Sequence, residues 1–342
     1  MRSQSWPTAW GSERHVSSAN SSPEEQRPIA LIGAGTIGVG WAIVFASAGR
    51  RVAVYDRDPE MLERLPVSVG SRLQKLHDAG LLDDTPEVIL ERISLHSTLA
   101  QAVLGAGHVQ ENVAESVDVK RALFGELDDL TDPTVVLASS TSTIPSSRFT
   151  SHLAGKARCL VVHPANPPYL LHVAEVVPSP STDARVVDAT VDLLTSVAMH
   201  PIVVHAEIEG FVFNRLQGAM LREAYFLVGD GVVSPRDVDL IVREGLGRRW
   251  SITGPFATSE LNTRGGTAHH AQVIGPVYAK IGRDRGSSDP WIPETIARIV
   301  EEMNDVLPGD DWEANVLKRE MGLIALEVMR RRGELPAVPT EA

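Results

Sequence analysis

Two groups of residues in this 342-residue chain have the types and spacing for chemistry. The first is Gly33-Ala34-Gly35-Thr36-Ile37-Gly38, followed by Asp56. Gly33 permits a tight strand-to-helix turn, Gly35 lets the backbone approach a pyrophosphate at a helix N-terminus, and Gly38 lets the helix pack closely on the strand. A lone GxGxxG run is weak. One that follows an apolar strand, opens a helix and precedes an acid by about 20 residues specifies a dinucleotide rather than a structural turn. The Asp56 carboxylate can accept hydrogen bonds from ribose hydroxyls and would repel a 2′-phosphate, so NAD is expected over NADP; only the adjacent Arg57 weighs against this. The second group is His163, in His163-Pro164-Ala165-Asn166-Pro167-Pro168, with Glu175 twelve residues on among the apolar residues Val173, Ala174, Val176 and Val177. A carboxylate in an apolar strand is costly to bury unless paired, and a histidine is the obvious partner. An imidazole oriented by a carboxylate can take a hydroxyl proton while hydride leaves for a nicotinamide. On residue types alone, a structural histidine bonded to a core acid fits equally well.

Two further polar segments lie where such chemistry needs them. Ala138-Ser139-Ser140-Thr141-Ser142-Thr143 ends a strand-like run, where open α/β sheets bind ligands, although a plain polar loop reads the same way. In Gly210-Phe211-Val212-Phe213-Asn214-Arg215-Leu216 the Asn214 amide can bond a substrate or cap a helix.

The elements that position these groups follow from periodicity. Apolar runs at 29–32, 52–54, 93–95, 108–109, 135–138, 160–162, 173–177 and 202–204 predict strands. Helical patterns fall between most of them, at 59–80, 97–105, 113–129 and 183–198, with Pro66 expected to interrupt the first. This alternation predicts an α/β fold, a Rossmann-like doubly wound and mainly parallel sheet with helices on both faces. Beyond Glu209 no run reads as a strand. Ser234-Pro235-Arg236-Asp237 has the form of a helix start, and helices are expected around 211–228, 235–244, 256–262, 267–281, 292–304 and 311–332. The expected division is a disordered extension over 1–27, an NAD-binding domain over 28–208, and an all-helical C-terminal domain over 209–335 that binds substrate and forms a homodimer.

Composition narrows the class. A net charge of −12 and the lack of a basic stripe argue against nucleic acid and anionic membrane as partners. No run of 18 apolar residues occurs, and residues 1–27 lack the apolar core of a secretory signal. With Cys159 as the single cysteine, set among Leu160, Val161 and Val162, a buried strand thiol and a reducing, cytoplasmic compartment are expected. His269 and His270 are adjacent on a helical pattern and point in different directions, so no metal site is expected. The Arg330-Arg331-Arg332 run reads as a helix C-terminus that complements the helix dipole.

Together these segments resemble the 3-hydroxyacyl-CoA dehydrogenase superfamily, most closely its lambda-crystallin branch, whose enzymatic member is L-gulonate 3-dehydrogenase. The resemblance runs from about residue 28 to at least 282, and more loosely to 332. It implies Ser142, His163, Glu175 and Asn214 as the catalytic set, with His163 as base, Glu175 orienting it, and Ser142 and Asn214 bonding the reacting oxygen. It also implies cofactor contacts from Glu115 and Lys120 in the segment NVAESVDVK and from Asn166, in addition to those of the glycine loop, Thr36 and Ile37 included. Considered alone, Glu115 and Lys120 read as a solvated helix face. HPANPPY at 163–169 and GLGRRWSITGP at 245–255 resemble the small-hydroxyacid branch, which implies Arg249 as the ligand of a substrate carboxylate, since a guanidinium offers bidentate recognition. Departures are Trp250 in place of the usual tyrosine, the Arg248-Arg249 doublet and Thr253-Gly254. The implied activity is NAD-dependent oxidation of the C3 hydroxyl of a small 3-hydroxy carboxylate, L-gulonate or a related acid, to the 3-keto acid. One alternative is a 3-hydroxyacyl-CoA dehydrogenase or diketo-ester reductase; a CoA site would have only Arg64, Arg72 and Lys75 near the helix after the second strand. Another is a catalytically silent crystallin-like or nucleotide-sensing protein, against which the complete Ser/His/Glu/Asn set argues.

Overall fold

All eight apolar runs form strands of one sheet: β1 Ile29–Ile32, β2 Val52–Tyr55, β3 Ile93–His96, β4 His108–Glu111, β5 Val136–Ser139, β6 Cys159–Pro164, β7 Val173–Pro178 and β8 His200–Val203. The computed structural model describes residues 27–262, 264, 266–285, 293–306 and 312–334. Residues 1–26 of the expected extension lie outside the described residues; Arg27 does not, and its guanidinium donates to the Ala106 carbonyl at 2.6 Å. The strands are ordered β3-β2-β1-β4-β5-β6-β7-β8. Strands β1 to β6 are parallel, β7 runs antiparallel to β6, and β8 is parallel to β7. The chain winds outward from β1 to β3 and then resumes at β4 on the other side of β1, so the switch point lies between β1 and β4. A crevice outside the carboxyl ends of these two strands is where such sheets take dinucleotides.

Helices cover both faces, which explains why the strands read as continuous apolar runs. On one face Trp41 and Phe45 of helix Thr36–Ser47, with Leu65, Val69 and Leu73 of helix Pro59–Asp78, pack on Ile29, Leu31, Val54 and Val162. On the other, Phe124 and Leu127 of helix Val117–Leu130 meet Ala30, Ile32, Val109 and Leu137. Pro66 does not interrupt helix Pro59–Asp78. A proline removes one backbone bond, and burial of Leu65, Val69, Leu73 and Leu76 along one face outweighs that loss.

After β8 the described residues are helical or irregular. Helix Phe213–Gly229 leads, and Ser234 caps helix Pro235–Ile241 by accepting from the Asp237 N–H at 3.1 Å. The last helix, Trp312–Arg331, returns to the sheet-bearing part of the chain. Its Ile324 joins the core of helix Thr36–Ser47, and the Tyr169 hydroxyl donates to Glu320 Oε1 at 3.0 Å.

Candidate active site

β6 and β7 pair antiparallel with His163 directly opposite Glu175. Opposed side chains on one face sit about 5 Å apart at Cβ, so no loop is needed to bring this imidazole and carboxylate together. His163 Nδ1 lies 2.8 Å from Glu175 Oε2, with both residues buried. A carboxylate can only accept, so Nδ1 carries the proton and Nε2 holds the lone pair available to a substrate hydroxyl. The other carboxylate oxygen, Oε1, accepts from the backbone N–H groups of Val212 at 2.7 Å and Phe213 at 3.0 Å. These amides open helix Phe213–Gly229, where a negative charge is favoured. Burial pushes the Glu175 pKa upward, but the bonds from His163, Phe213 and Val212 outweigh it and hold the carboxyl below its ordinary value.

The turn that aims these amides is strained. Gly210 and Phe211 both adopt left-handed φ angles, 75° and 48°, and Phe211 accepts this although it carries a side chain. Its ring is fully buried and packs on His163 at a centroid distance of 5.7 Å, which holds the strained residue in place.

Ser142 and Asn214 meet at the same junction. The Asn214 side-chain amide donates to the Ser142 carbonyl at 2.7 Å. The Ser142 loop is held from below by Glu115, whose Oε1 accepts from the Thr141 hydroxyl at 2.6 Å, the Ser142 N–H at 3.0 Å and the Thr143 N–H at 3.1 Å. Burial raises the Glu115 pKa, but the Thr141 bond, the Lys120 charge and the Thr143 bonds together leave it lowered. Lys120 is only 1% exposed, so it is no part of a solvated helix face. Its ammonium donates to Glu111 at 2.8 and 3.0 Å and lies 3.8 Å from Glu115. Both residues thus act on the loop from beneath, with Glu115 remaining half exposed.

The glycine loop fits the backbone of a dinucleotide. Gly33 has φ of 106°, a Cβ on Gly38 would stand 2.0 Å from the Gly33 carbonyl oxygen, and a Cβ on Gly35 would meet nothing within 4 Å, leaving that side open for a pyrophosphate. A cavity of about 510 Å³ adjoins it, lined by Gly33, Gly35, Asp56, Met61, Asn112 and Leu123 among others. Asp56 Oδ2 accepts from the Ala34 N–H at 2.7 Å and Oδ1 from the Asp58 N–H at 2.9 Å. Each oxygen keeps a lone pair for a ribose hydroxyl. Thr36 and Ile37 form the first turn of helix Thr36–Ser47. Asn166 is exposed between the buried Ala165 and Pro167. Arg249, on the short helix Gly247–Trp250, is exposed, and among the described residues no hydrogen bond joins its side chain to His163, Ser142 or Asn214.

Three features escaped the sequence reading. A Cβ on Gly40 would stand 2.7 Å from the ring carbons of Pro168, so this glycine seats helix Thr36–Ser47 against the HPANPPY segment. Ser140 Oγ accepts from Trp41 Nε1 at 3.0 Å and donates to Asn112 Oδ1 at 2.8 Å, which ties that loop to the glycine helix. The burial of Lys120 had a signal, since it stands four and seven residues before Phe124 and Leu127 on one helical stripe.

The models for the 3-hydroxyacyl-CoA dehydrogenase NAD-binding domain and C-terminal domain match residues 28–208 and 210–301. The chain is 36% identical over 301 residues to lambda-crystallin of Oryctolagus cuniculus, covering 85% of this chain and 94% of that protein. It is 36% identical over 324 residues to L-carnitine dehydrogenase of Streptomyces coelicolor, covering 92% and 98%. Among solved structures it is similar to 5-formyl-3-hydroxy-2-methylpyridine 4-carboxylic acid 5-dehydrogenase, an NAD+ dependent dismutase, with a TM-score of 0.76, 29% identity, and coverage of 88% and 97%.

Proposed function

The chain belongs to the 3-hydroxyacyl-CoA dehydrogenase family and is an NAD-dependent oxidoreductase acting on CH–OH, and from that premise we propose that its substrate is a small free 3-hydroxy carboxylate, L-gulonate or a related acid, oxidised at C3 to the 3-keto acid. The chemistry rests on the His163–Glu175 pair, the single observation that carries this reading. His163 Nε2 takes the hydroxyl proton, and Glu175 stabilises the imidazolium that forms. Ser142 and Asn214 bond the reacting oxygen, with Glu115 and Lys120 holding the Ser142 loop. Bound NAD would supply the acceptor for the hydride leaving C3. Gly33, Gly35, Gly38 and Asp56 would hold it, and the exposed Asn166 would add a further contact.

Two observations favour a free acid over an acyl-CoA. Of the three cations near the CoA position, Arg72 and Lys75 face Glu320 of the last helix at 3.7 and 3.6 Å, and Arg64 pairs with Glu60 at 3.1 Å. A phosphate would have to displace these carboxylates. The second is the kinship with L-carnitine dehydrogenase, since L-carnitine is itself a free 3-hydroxy acid. Arg249 would then be the carboxylate ligand. A panel of 3-hydroxy acids and 3-hydroxyacyl-CoA thioesters, followed by NADH absorbance, tests this; turnover confined to the thioesters would overturn it.

We also infer a division at Glu209 and a homodimer through the helical part. Phe256 is 82% exposed there, and Leu216, Leu261 and Tyr278 are also exposed, an apolar surface that a second copy would cover. Sedimentation velocity should give twice the chain mass, and a monomer at micromolar concentration would contradict it.

A further inference from the structure

The carboxyl ends of β1, β4 and β5 lie side by side, with Ile32, Glu111 and Ser139 in register. Ile32 leads into the glycine loop and Ser139 into the Ser142 loop, so Glu111 stands between the two segments that the proposed reaction uses. Glu111 is fully buried, where a carboxylate is costly unless its oxygens meet donors. Its Oε1 accepts from the Lys120 ammonium at 2.8 Å and the Val113 N–H at 2.6 Å, and its Oε2 from the same ammonium at 3.0 Å and the Ser139 hydroxyl at 2.5 Å. Burial raises the Glu111 pKa, and the Lys120 charge opposes this together with the bonds from Lys120, Ser139 and Val113.

Lys120 stands between two carboxylates and bonds only one of them. Its ammonium donates to both oxygens of Glu111 but stays 3.8 Å from Glu115 Oε2, beyond hydrogen-bond reach. Glu115 is thereby left to the Ser142 loop, where its Oε1 accepts from the Thr141 and Thr143 hydroxyls and from the Ser142 and Thr143 N–H groups. The two tasks compete. A buried ammonium that loses one counter-ion must draw on the other, since an unpaired charge is strongly disfavoured there. A Glu115 carboxylate pulled onto Lys120 would slacken the acceptor that holds the Ser142 N–H.

We propose that Glu111 is a positioning residue for the reaction: by taking the Lys120 charge, it keeps Glu115 on the loop that presents Ser142. Glu111 acts through Lys120 and Glu115 and meets neither substrate nor cofactor. The inference rests on the reading that Ser142 bonds the reacting oxygen. Glu111→Gln isolates the effect of charge. The amide keeps the shape of the side chain, and with its oxygen toward Val113 it keeps that bond; its NH2 then faces Lys120 and offers no lone pair.

Steady-state kinetics of the full chain on the best 3-hydroxy acid of the panel, at saturating NAD, test this. In Glu111→Gln kcat should fall about tenfold or more, while KM for NAD stays within about three-fold of the parent because Val113, which lines the nucleotide cavity, keeps its bond. Lys120→Met then removes the competing cation, so Glu111→Gln/Lys120→Met should turn over about five-fold or more faster than Glu111→Gln alone. A kcat undiminished in Glu111→Gln, a loss of kcat matched by an equal rise in KM for NAD, or a double variant no faster than the single one overturns the proposal. Should Glu111→Gln not fold, Glu111→Asp, whose carboxylate stands one methylene back from Lys120, passes through the same comparison, with a loss of about three-fold or more expected and relieved by Lys120→Met. Ser142→Ala, which keeps the Ser142 N–H, separates this inference from the reading beneath it. A slow Ser142→Ala beside an undiminished Glu111→Gln overturns this inference alone, and a Ser142→Ala within about three-fold of the parent overturns both.

Discussion

His163 and Glu175 are direct cross-strand partners in the antiparallel β6–β7 pair, 2.8 Å apart, and the same carboxylate also accepts the first amides of helix Phe213–Gly229. One side chain thus fixes the tautomer of the His163 imidazole and anchors the start of the helical part. In Glu175→Gln the amide nitrogen would face Nδ1, forcing the ring proton onto Nε2, the atom proposed to accept from substrate. Turnover should fall by about 100-fold or more, within the range for general base catalysis, with NAD affinity little changed. Steady-state kinetics and NAD titration on this variant check both.

Much of this was legible in the sequence, because strands buried on both faces leave continuous β-branched runs and a dinucleotide loop needs its glycines at fixed spacing. Glu175 stood out because a carboxylate in an apolar strand needs a partner. What was hidden depends on contacts distant in the chain. Nothing in the local pattern shows that Glu320 will meet Arg72 and Lys75, or that Gly40 will lie under Pro168. Pro66 misled because tertiary burial overrode a local rule.

Gly40→Ala tests the seating of the HPANPPY segment. Its methyl group would meet the ring carbons of Pro168 at 2.7 Å, and a pyrrolidine ring closed onto its own backbone nitrogen cannot swing away, so the loop must shift. A loss of about 1 to 3 kcal/mol in stability is expected, together with weaker NAD binding through displacement of Asn166. Chemical denaturation and NAD titration measure the two effects; a neutral result in both would show that the contact is slack.

Acid should destabilise the protein through His108. Its pKa is lowered from 6.5 to about 4 in the folded chain, so the unfolded chain binds the extra proton first as pH falls. Stability is therefore fully present above pH 6.5 and declines toward pH 4, by about 3 kcal/mol from this group alone. Glu175 acts lower on the scale: its lowered pKa contributes stability above about pH 4.3 that is lost as pH falls through the folded value. Urea denaturation across pH 4 to 7 should show the decline in the parent and a flatter profile in His108→Leu.

Arg249→Ala should lower kcat/KM on a free 3-hydroxy acid by tenfold or more, equivalent to about 1.4 kcal/mol, and leave the methyl ester of the same acid nearly unaffected. The neighbouring Arg248, 3.5 Å from Glu244, should matter less. Equal losses on acid and ester would assign Arg249 a structural role.

The most direct measurement is the turnover of His163→Gln on the best 3-hydroxy acid of the panel, with NAD affinity and thermal midpoint recorded on the same preparation. If His163 Nε2 is the base, turnover falls by about 100- to 10,000-fold while NAD still binds and the fold persists. Turnover within a factor of about three of the parent would contradict the account, because general base catalysis is worth at least about 100-fold.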